Sequence, residues 1–390
     1  MLSLGLVMIV RNEEKNLMRS LAPSIKEFDE AVVVDTGSTD QTKSMARQLG
    51  AQVCDFVWQD DFSLARNFSI EQAKSDWLLW LDADNGLQAG DVNMIRGLLR
   101  PEPAIIWALE KVTRTGELLW QKRIFPNRPE ARFQGRVHEQ LIHPPLWPQI
   151  KSPLLIEHWG YQDPKVLKQK GVYYLSLLRE TLQKDPADYY ARFQAARCHF
   201  NLREFEQARE QLKLAAAEKR LASENSALAL HVELMLATTM QRLNETENAF
   251  NLLMELTTRY PHEALAFFSA GQLAYTLGDM YKAADLLEKS LSLDLGAPMI
   301  NLNPLQTRFS AFYLRGLALL KIGRELAGLA SLEQALALMP DHRGLRLDLA
   351  LAQQQAGMDD QARANLEYVR EKFPRDVRAE RLAQKWNENA

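Results

Sequence analysis

Two carboxylates one residue apart, Asp82 and Asp84, follow the apolar run Trp77 to Leu81. A buried strand that delivers such a pair to the edge of a sheet makes a site for a hard divalent cation. Mg²⁺ and Mn²⁺ prefer oxygen ligands and bind phosphates through them. A cation held there acts as a Lewis acid and neutralises charge gathering on a leaving diphosphate. The spacing alone is a weak sign, because paired carboxylates are common in exposed loops. The strand in front of it strengthens the reading.

The elements that must position this pair come from the first hundred residues. Ser3 to Val10, Ala31 to Val34, Ala51 to Val57 and Trp77 to Leu81 read as buried strands. Helical stretches separate them at Glu13 to Glu27, after Ser38-Thr39-Asp40 through Leu49, and at Phe62 to Ala73. Continuous apolar strands alternating with helices predict an α/β domain with a mainly parallel sheet covered on both faces. Ligands of such sheets bind at the carboxyl ends of the strands. Three polar clusters fall there: Arg11-Asn12-Glu13, Asp35-Thr36-Gly37-Ser38 and Asp82-Ala83-Asp84. Ile105 to Val112 and Glu117 to Phe125 predict a hairpin around Thr115-Gly116, with further strands near Gln140 and Ile156.

Near Tyr161 the chain becomes Ala/Leu-rich and helical, and it repeats. Small residues recur at Ala196, Ala237, Gly271, Gly316 and Ala350. Twelve positions after each stands Ala208, Ala249, Ala283, Gly328 or Ala362, and four further Leu212, Leu253, Leu287, Leu332 or Leu366. Helices pack this closely only where side chains are small. The pattern resembles the tetratricopeptide repeat, an all-α solenoid, with five units over roughly 187–374. Pro261, Pro340 and Pro374 close three units. An insertion around Leu295 to Leu305 lengthens one linker. Asp163 to Lys184 reads as a bridging helix, so the expected domains are 1–160, a linking helix over 161–186, and repeats over 187–390.

The first domain resembles family-2 glycosyltransferases with the GT-A (nucleotide-diphospho-sugar transferase) fold. The matching strings are Met8-Ile-Val-Arg-Asn-Glu-Glu14, Ala31 to Thr42, Asp60-Asp-Phe-Ser-Leu-Ala-Arg-Asn67 and Trp80-Leu-Asp-Ala-Asp84. Joined to a repeat tail, the third string is most similar to SunS-type peptide glycosyltransferases. Lipopolysaccharide-core glucosyltransferases share the earlier motifs but not the tail.

The resemblance implies residue roles. Val10, Asn12, Glu13 and Ala83 border the nucleotide-sugar, and Glu14 equally suits a helix cap. Asp35 accepts from the uracil N3–H, while Asp40 is the better helix cap. Arg66 contacts base or diphosphate, and Asn67 a ribose or sugar. Asp82 turns toward ribose or sugar and Asp84 holds Mn²⁺ or Mg²⁺. Asn85 stands where many relatives carry an acid. Glu139, in Gly135-Arg136-Val137-His138-Glu139, is implied as the base of an inverting transfer. His138 and His158 compete as third metal ligand. Strand alternation would separate His138 from Glu139 if the segment were extended.

The implied reaction moves a hexose from a UDP-sugar to a peptide or protein acceptor, or else to an envelope or lipopolysaccharide-core glycan. The repeats either recognise that acceptor or form a homodimer. A chain ended near Gln162 is then expected to keep slow donor hydrolysis and lose transfer. An interaction scaffold with an inactive transferase domain is the alternative of another class. A dinucleotide oxidoreductase is disfavoured because no G-x-G-x-x-G follows the first strand. Glycoside hydrolases set their carboxylates about 5–10 Å apart across a sugar, unlike an adjacent pair.

Composition narrows the partners. Lys plus Arg total 47 against 50 Asp plus Glu, a net charge of -3, which removes the electrostatic case for nucleic acid. Two cysteines make no disulfide framework and fit a reducing compartment. The first residues lack a basic region and a cleavage site, and no apolar run reaches the ~18 residues of a span. A cytoplasmic location is expected, with peripheral attachment at the inner membrane face as a variant.

Overall fold

A computed structural model describes residues 2–160, 164–295 and 302–388. The chain divides into two compact units, the first running to Val232 and the second starting at Glu233.

The first unit opens β1 (Leu4–Val10), α1 (Glu14–Ser20), β2 (Glu30–Asp35), α2 (Thr42–Gln48), β3 (Gln52–Asp55), α3 (Phe62–Gln72) and β4 (Trp77–Trp80). It continues with β5 (Asn85–Gly86), α4 (Asp91–Leu98), β6 (Ile105–Val112), β7 (Leu118–Pro126), β8 (Arg132–Gln134), β9 (Gln140–Ile142) and β10 (Gln149–His158). Eight strands form one sheet in the order β3-β2-β1-β4-β7-β6-β10-β5, and β8 pairs with β9.

The strands β3, β2, β1 and β4 are parallel, as expected, but β3 is a four-residue edge strand, Gln-Val-Cys-Asp, half-buried to exposed, in place of a buried strand over Ala51 to Val57. Beyond β4 the sheet is mixed: β7 runs antiparallel to β4 and β6, β10 parallel to β6, and β5 antiparallel to β10. The expected mainly parallel sheet is therefore only half of it, because the hairpin β6–β7 inserts its own reversal.

Residue alternation sends each strand into two cores. Leu4, Leu6, Met8, Val33 and Leu79 share one, and Val7, Val32, Val34, Leu78 and Trp80 the other. Every member is buried, so both faces are covered. The helix expected over Glu13 to Glu27 stops at Ser20, and a single 3-10 turn follows Pro23 at Ile25–Glu27. Proline cannot continue an α-helix interior.

The unit closes on α5 (Pro164–Lys184), α6 (Tyr189–Asn201), α7 (Phe205–Ala217) and α8 (Lys219–Glu224), with α9 (Ser226–Arg242) following. Asp163, the expected start of the bridging helix, lies outside the described residues. The added helix α8 explains the wide gap between the first two repeats.

The second unit continues with α10 (Thr246–Arg259), α11 (Ala264–Leu277), α12 (Met280–Ser292), α13 (Pro304–Lys321), α14 (Glu325–Leu338), α15 (Arg343–Gln355), α16 (Asp359–Lys372) and α17 (Val377–Glu388). The recurring small residues sit where helices touch. A Cβ on Gly271 would lie 2.7 Å from Leu287 Cγ, and one on Gly316 2.6 Å from Leu332 Cδ2. Gly328 faces Gly316 in turn, its added Cβ 3.1 Å from the Gly316 carbonyl. Part of the expected insertion, 296–301, lies outside the described residues. Among the described residues no helix is long and apolar enough to cross a membrane.

Candidate active site

The loops after β1 and β2 are tied to one another. Asn12, at φ 57°, accepts from Thr39 N–H at 2.8 Å and donates its own N–H to Ser38 Oγ at 2.8 Å. Glu14 N–H donates to Asp40 at 3.3 Å, and Gln41 N–H donates to Glu14 at 3.0 Å. Two helix starts thus cap each other, and Asp40 also accepts from Thr42 N–H at 3.0 Å. Asp35 Oδ1 accepts from Gly37 and Ser38 N–H at 3.0 and 2.9 Å. Its Oδ2 is buried and has no partner among the described residues. Glu13 and Val10 line the cleft beside these loops. The Asn12 side chain, read from sequence as a nucleotide neighbour, joins the two loops.

The string Asp60 to Asn67 separates into scaffold and site. Asp60, at φ 55°, accepts from Tyr173 OH at 2.6 Å and Trp58 Nε1 at 2.9 Å. Asp61 caps α3 by accepting from Leu64 N–H at 3.2 Å. Phe62 meets Trp58 and Tyr174 edge-on, with centroids 4.8 and 6.0 Å apart. Ala65 is wholly buried. Asn67 donates to Phe133 carbonyl at 2.9 Å and accepts from Phe133 N–H at 2.8 Å. Both ends of that amide hold β8, with one N–H and one oxygen lone pair still uncommitted among the described contacts.

Arg66 alone of the string turns into the carboxylate cluster. It is buried, donates through Nε to Glu139 and through Nη2 to Asp82 at 2.8 Å. Arg66 also lines the cleft, where a base or diphosphate contact is expected from sequence. A surface helix arginine is excluded by its burial.

Asp82 takes a second cation, Arg123 Nη1, at 3.3 Å. Burial raises the Asp82 pKa, but Arg66 and then Arg123 outweigh it and hold the carboxyl at about 2. Asp84 goes the other way. Burial, and then the negative charge of Asp82, lift it to about 6 against the pull of His158. Two carboxylates one residue apart are thereby given different chemistry by their surroundings. Both guanidiniums also lie over the Trp80 ring, Arg66 at 4.0 Å and Arg123 at 3.7 Å from its centroid.

The two histidines are not equivalent. His158 is paired with Asn85 in the β10–β5 register and contacts its amide at 3.2 Å. His158 Nδ1 lies 3.6 Å from Asp84 Oδ1 and 4.0 Å from Glu110 Oε1. His138 lies elsewhere, in the bend joining β8 to β9, at φ 54°. It packs edge-on against Tyr174 at 5.5 Å, and its Nε2 has no partner among the described residues. Burial, helped by the charge of Arg197, lowers its pKa to about 3. The bend replaces the extended segment considered from sequence, so His138 and Glu139 both line the cleft.

That cleft has a volume of about 970 Å³. Five of the eight tryptophans line it: Trp58, Trp80, Trp107, Trp120 and Trp159. Its far wall comes from α5, α6 and α9, through Tyr174, Tyr190, Arg197 and His231. Sequence reasoning missed Glu110 and Arg123, which pair in the site. Arg123 is the extra residue at a register shift between β6 and β7, where Ile106 faces Ile124 but Trp107 faces Lys122. Strict strand alternation therefore misassigns its side.

Residues 6–153 match the family described as Glycosyl transferase family 2. Residues 175–230 and 345–376 match tetratricopeptide repeat families. A TPR repeat-containing protein of Synechococcus elongatus is 36% identical over 201 residues, 48% of this chain and 49% of its own length. The glycosyltransferase SunS of Bacillus phage SPbeta, like its prophage counterpart in Bacillus subtilis, is 29% identical over 197 residues. That match covers 46% of this chain and 44% of SunS. The chain thus spans about half the length of these curated relatives. The solved Pseudomonas aeruginosa pilF structure aligns at a TM-score of 0.43 and 18% identity, over 57% of this chain and 97% of that one. The chain carries an N-terminal family-2 glycosyltransferase domain followed by tetratricopeptide repeats.

Proposed function

We propose that this protein is an inverting glycosyltransferase that moves a hexose from a UDP-sugar to a peptide or protein acceptor with Mn²⁺ or Mg²⁺. The observation that carries this reading is the divided pair Asp82 and Asp84 at the end of β4, inside the matched domain. Asp82 is held ionised by two arginines, and Asp84, its pKa raised first by burial and then by the Asp82 charge, stands beside His158.

Among the described residues no three His, Cys, Asp or Glu side chains gather as a ready-made metal cage, so the cation takes two protein ligands and leaves its other positions to the diphosphate and water, as is usual for Mg²⁺. Asp84 supplies a carboxylate oxygen, His158 supplies a ring nitrogen 3.6 Å from it, and Asp82 and Glu13 add negative potential. Such a cation, when bound, offsets charge on the departing diphosphate. Asp35 offers its unpartnered Oδ2 to a uracil N3–H. Asp82 orients ribose or sugar hydroxyls. Glu139, fixed by Arg66 and facing the cleft, takes the acceptor's proton. Helices α5, α6 and α9 bound the cleft opposite the strands, which supports acceptor recognition by the start of the helical region.

A glycan acceptor is the second reading, and the tryptophan-rich lining favours it, since ring faces pack on the apolar faces of sugars. An inactive scaffold is disfavoured by the intact pair and its arginines. The test incubates the protein with Mn²⁺ and a panel of nucleotide sugars and records release of the nucleoside diphosphate. Release from a UDP-hexose alone, abolished by chelation, is the expected result; no release from any donor overturns the reading.

A further inference from the structure

We propose that Arg123 is a positioning residue for this reaction: it locks Asp82 and, through Glu110, the His158 side of the site into one arrangement. The inference rests on the transferase reading above and adds residues that no motif of the sequence identifies.

Arg123 is among the largest fully buried side chains, 1% exposed, so it acts on a substrate through its neighbours. The β7 register shift brings it to the site. There Nη1 donates to Asp82 Oδ2 at 3.3 Å and to the Trp80 carbonyl at 3.4 Å. Nη2 donates to Glu110. Glu110 also accepts from Gln121 Nε2 at 3.2 Å, which fixes its rotation, and presents Oε1 4.0 Å from His158 Nδ1. His158 in turn stands 3.6 Å from Asp84. Two hydrogen-bonded links, Asp82–Arg123–Glu110, and two longer approaches, Glu110–His158 at 4.0 Å and His158–Asp84 at 3.6 Å, therefore run between the two carboxylates independently of the backbone between them.

Stability is a poor explanation for this arrangement. Buried ion pairs are often matched or bettered by apolar side chains of similar volume, because desolvating the charges cancels their attraction. What a buried arginine with two separated donors supplies is geometry: a planar fork fixes two carboxylates at once, and a lysine cannot. A difference of about 1 Å in a reacting group can cost on the order of 10²-fold in rate.

The test uses the full chain and its R123K, R123M, E110Q and R123M/E110Q variants. Wild-type release of UDP from a UDP-sugar with Mn²⁺ comes first, since its absence defeats the transferase reading and not this inference. With wild-type turnover in hand, kcat and KM for the donor are measured alongside thermal unfolding. Direct Mn²⁺ binding is titrated by electron paramagnetic resonance without donor. R123K is expected to keep its unfolding midpoint, lose at least tenfold in kcat and bind Mn²⁺ several-fold more weakly. The double variant is expected to be no slower than R123M, because both residues serve one set of contacts. R123K with wild-type kcat and Mn²⁺ affinity overturns the proposal, as do losses that multiply in the double variant. If the Arg123 variants do not fold, E110Q decides: unchanged Mn²⁺ affinity and unchanged kcat overturn it.

Discussion

Arg66 Nη2 donates to Asp82 Oδ1 at 2.8 Å while its Nε serves Glu139. One guanidinium thus joins the strand-end carboxylate to the proposed base across the cleft. Removing it leaves two carboxylates without that cation in a largely desolvated place. Arg66→Ala is expected to lose about 3–5 kcal/mol of stability, the usual penalty for breaking a buried pair. Arg66→Lys keeps a charge but cannot reach both carboxylates with one fork, so donor hydrolysis should fall at least tenfold. Denaturant unfolding and UDP release measure the two effects; a fully active lysine variant would show that the bridge is dispensable.

His158 and His138 give opposite expectations. His158→Ala should weaken Mn²⁺ binding by about 10- to 100-fold, the range seen when groups that ligate or orient a metal are lost. His138→Ala should leave that affinity alone and lower stability, because its ring fills the contact with Tyr174. Calorimetric Mn²⁺ titration of both variants separates them, and equal losses would refute the distinction.

Acid should unfold the first unit early. Burial depresses His231 to about 4, and burial with the Arg197 charge depresses His138 to about 3, against an ordinary 6.5. The unfolded chain then takes up these protons first. Stability is intact above about pH 6.5 and falls below it by roughly 1.4 kcal/mol per pH unit for each histidine. Asp84 has the opposite sign: with its pKa raised to about 6, the folded state takes up its proton first, so acidification from pH 6 toward 4 stabilises. Two histidines outweigh one carboxyl. Unfolding free energies of the metal-free protein between pH 7 and 4.5 should decline, and His231→Phe should flatten the decline. A slope that His231→Phe leaves untouched would contradict this assignment.

Gly271→Ala and Gly316→Ala should each cost about 1–3 kcal/mol, since the new methyl meets Leu287 or Leu332 inside contact distance. The effect belongs to the second unit, so metal-dependent donor hydrolysis at 25 °C should stay at the wild-type rate. Parallel thermal scans and UDP-release assays check both halves of this expectation.

A chain ended near residue 162 was expected from sequence to retain donor hydrolysis. The packing predicts a different outcome. Without α5 the rings of Trp58 and Phe62 lose Tyr173 and Tyr174, and Val137 loses its cluster with Leu175, Leu177 and Leu178. Such a shortened chain should be poorly soluble and inactive toward donor as well as acceptor. Gel filtration and donor hydrolysis of the shortened protein test this.

Legibility in the sequence followed the range of the interactions involved. The strands β1, β2 and β4 stood out because both their faces are buried and their interiors are continuous apolar runs. The repeats stood out because close helix contact demands a small residue at a fixed step. The bracing bonds of Asn12 and Asn67 were not legible: their partners, Thr39 and Phe133, lie 27 and 66 positions away. Glu110 and Arg123 were hidden by a register shift that exists only in the paired strands. Whether Gly135 to His138 was extended could not be read from sequence, because its bend, with φ of 108° and 54° at its ends, leaves no periodic signal. Which histidine approaches Asp84 depended on the two-residue pairing of β5 with β10, too short to leave a periodic signal.

The reciprocal caps between Glu14 and Asp40, with Asn12 bridging to Thr39, have a thermodynamic corollary. Loops this cross-braced have already surrendered their conformational freedom when the chain folds. A nucleotide bound there, as the proposed function has it, would meet a preformed shelf and lose little ordering entropy at that step. Discrimination among bases there should accordingly be rigid, rejecting misfits by shape instead of adapting to them.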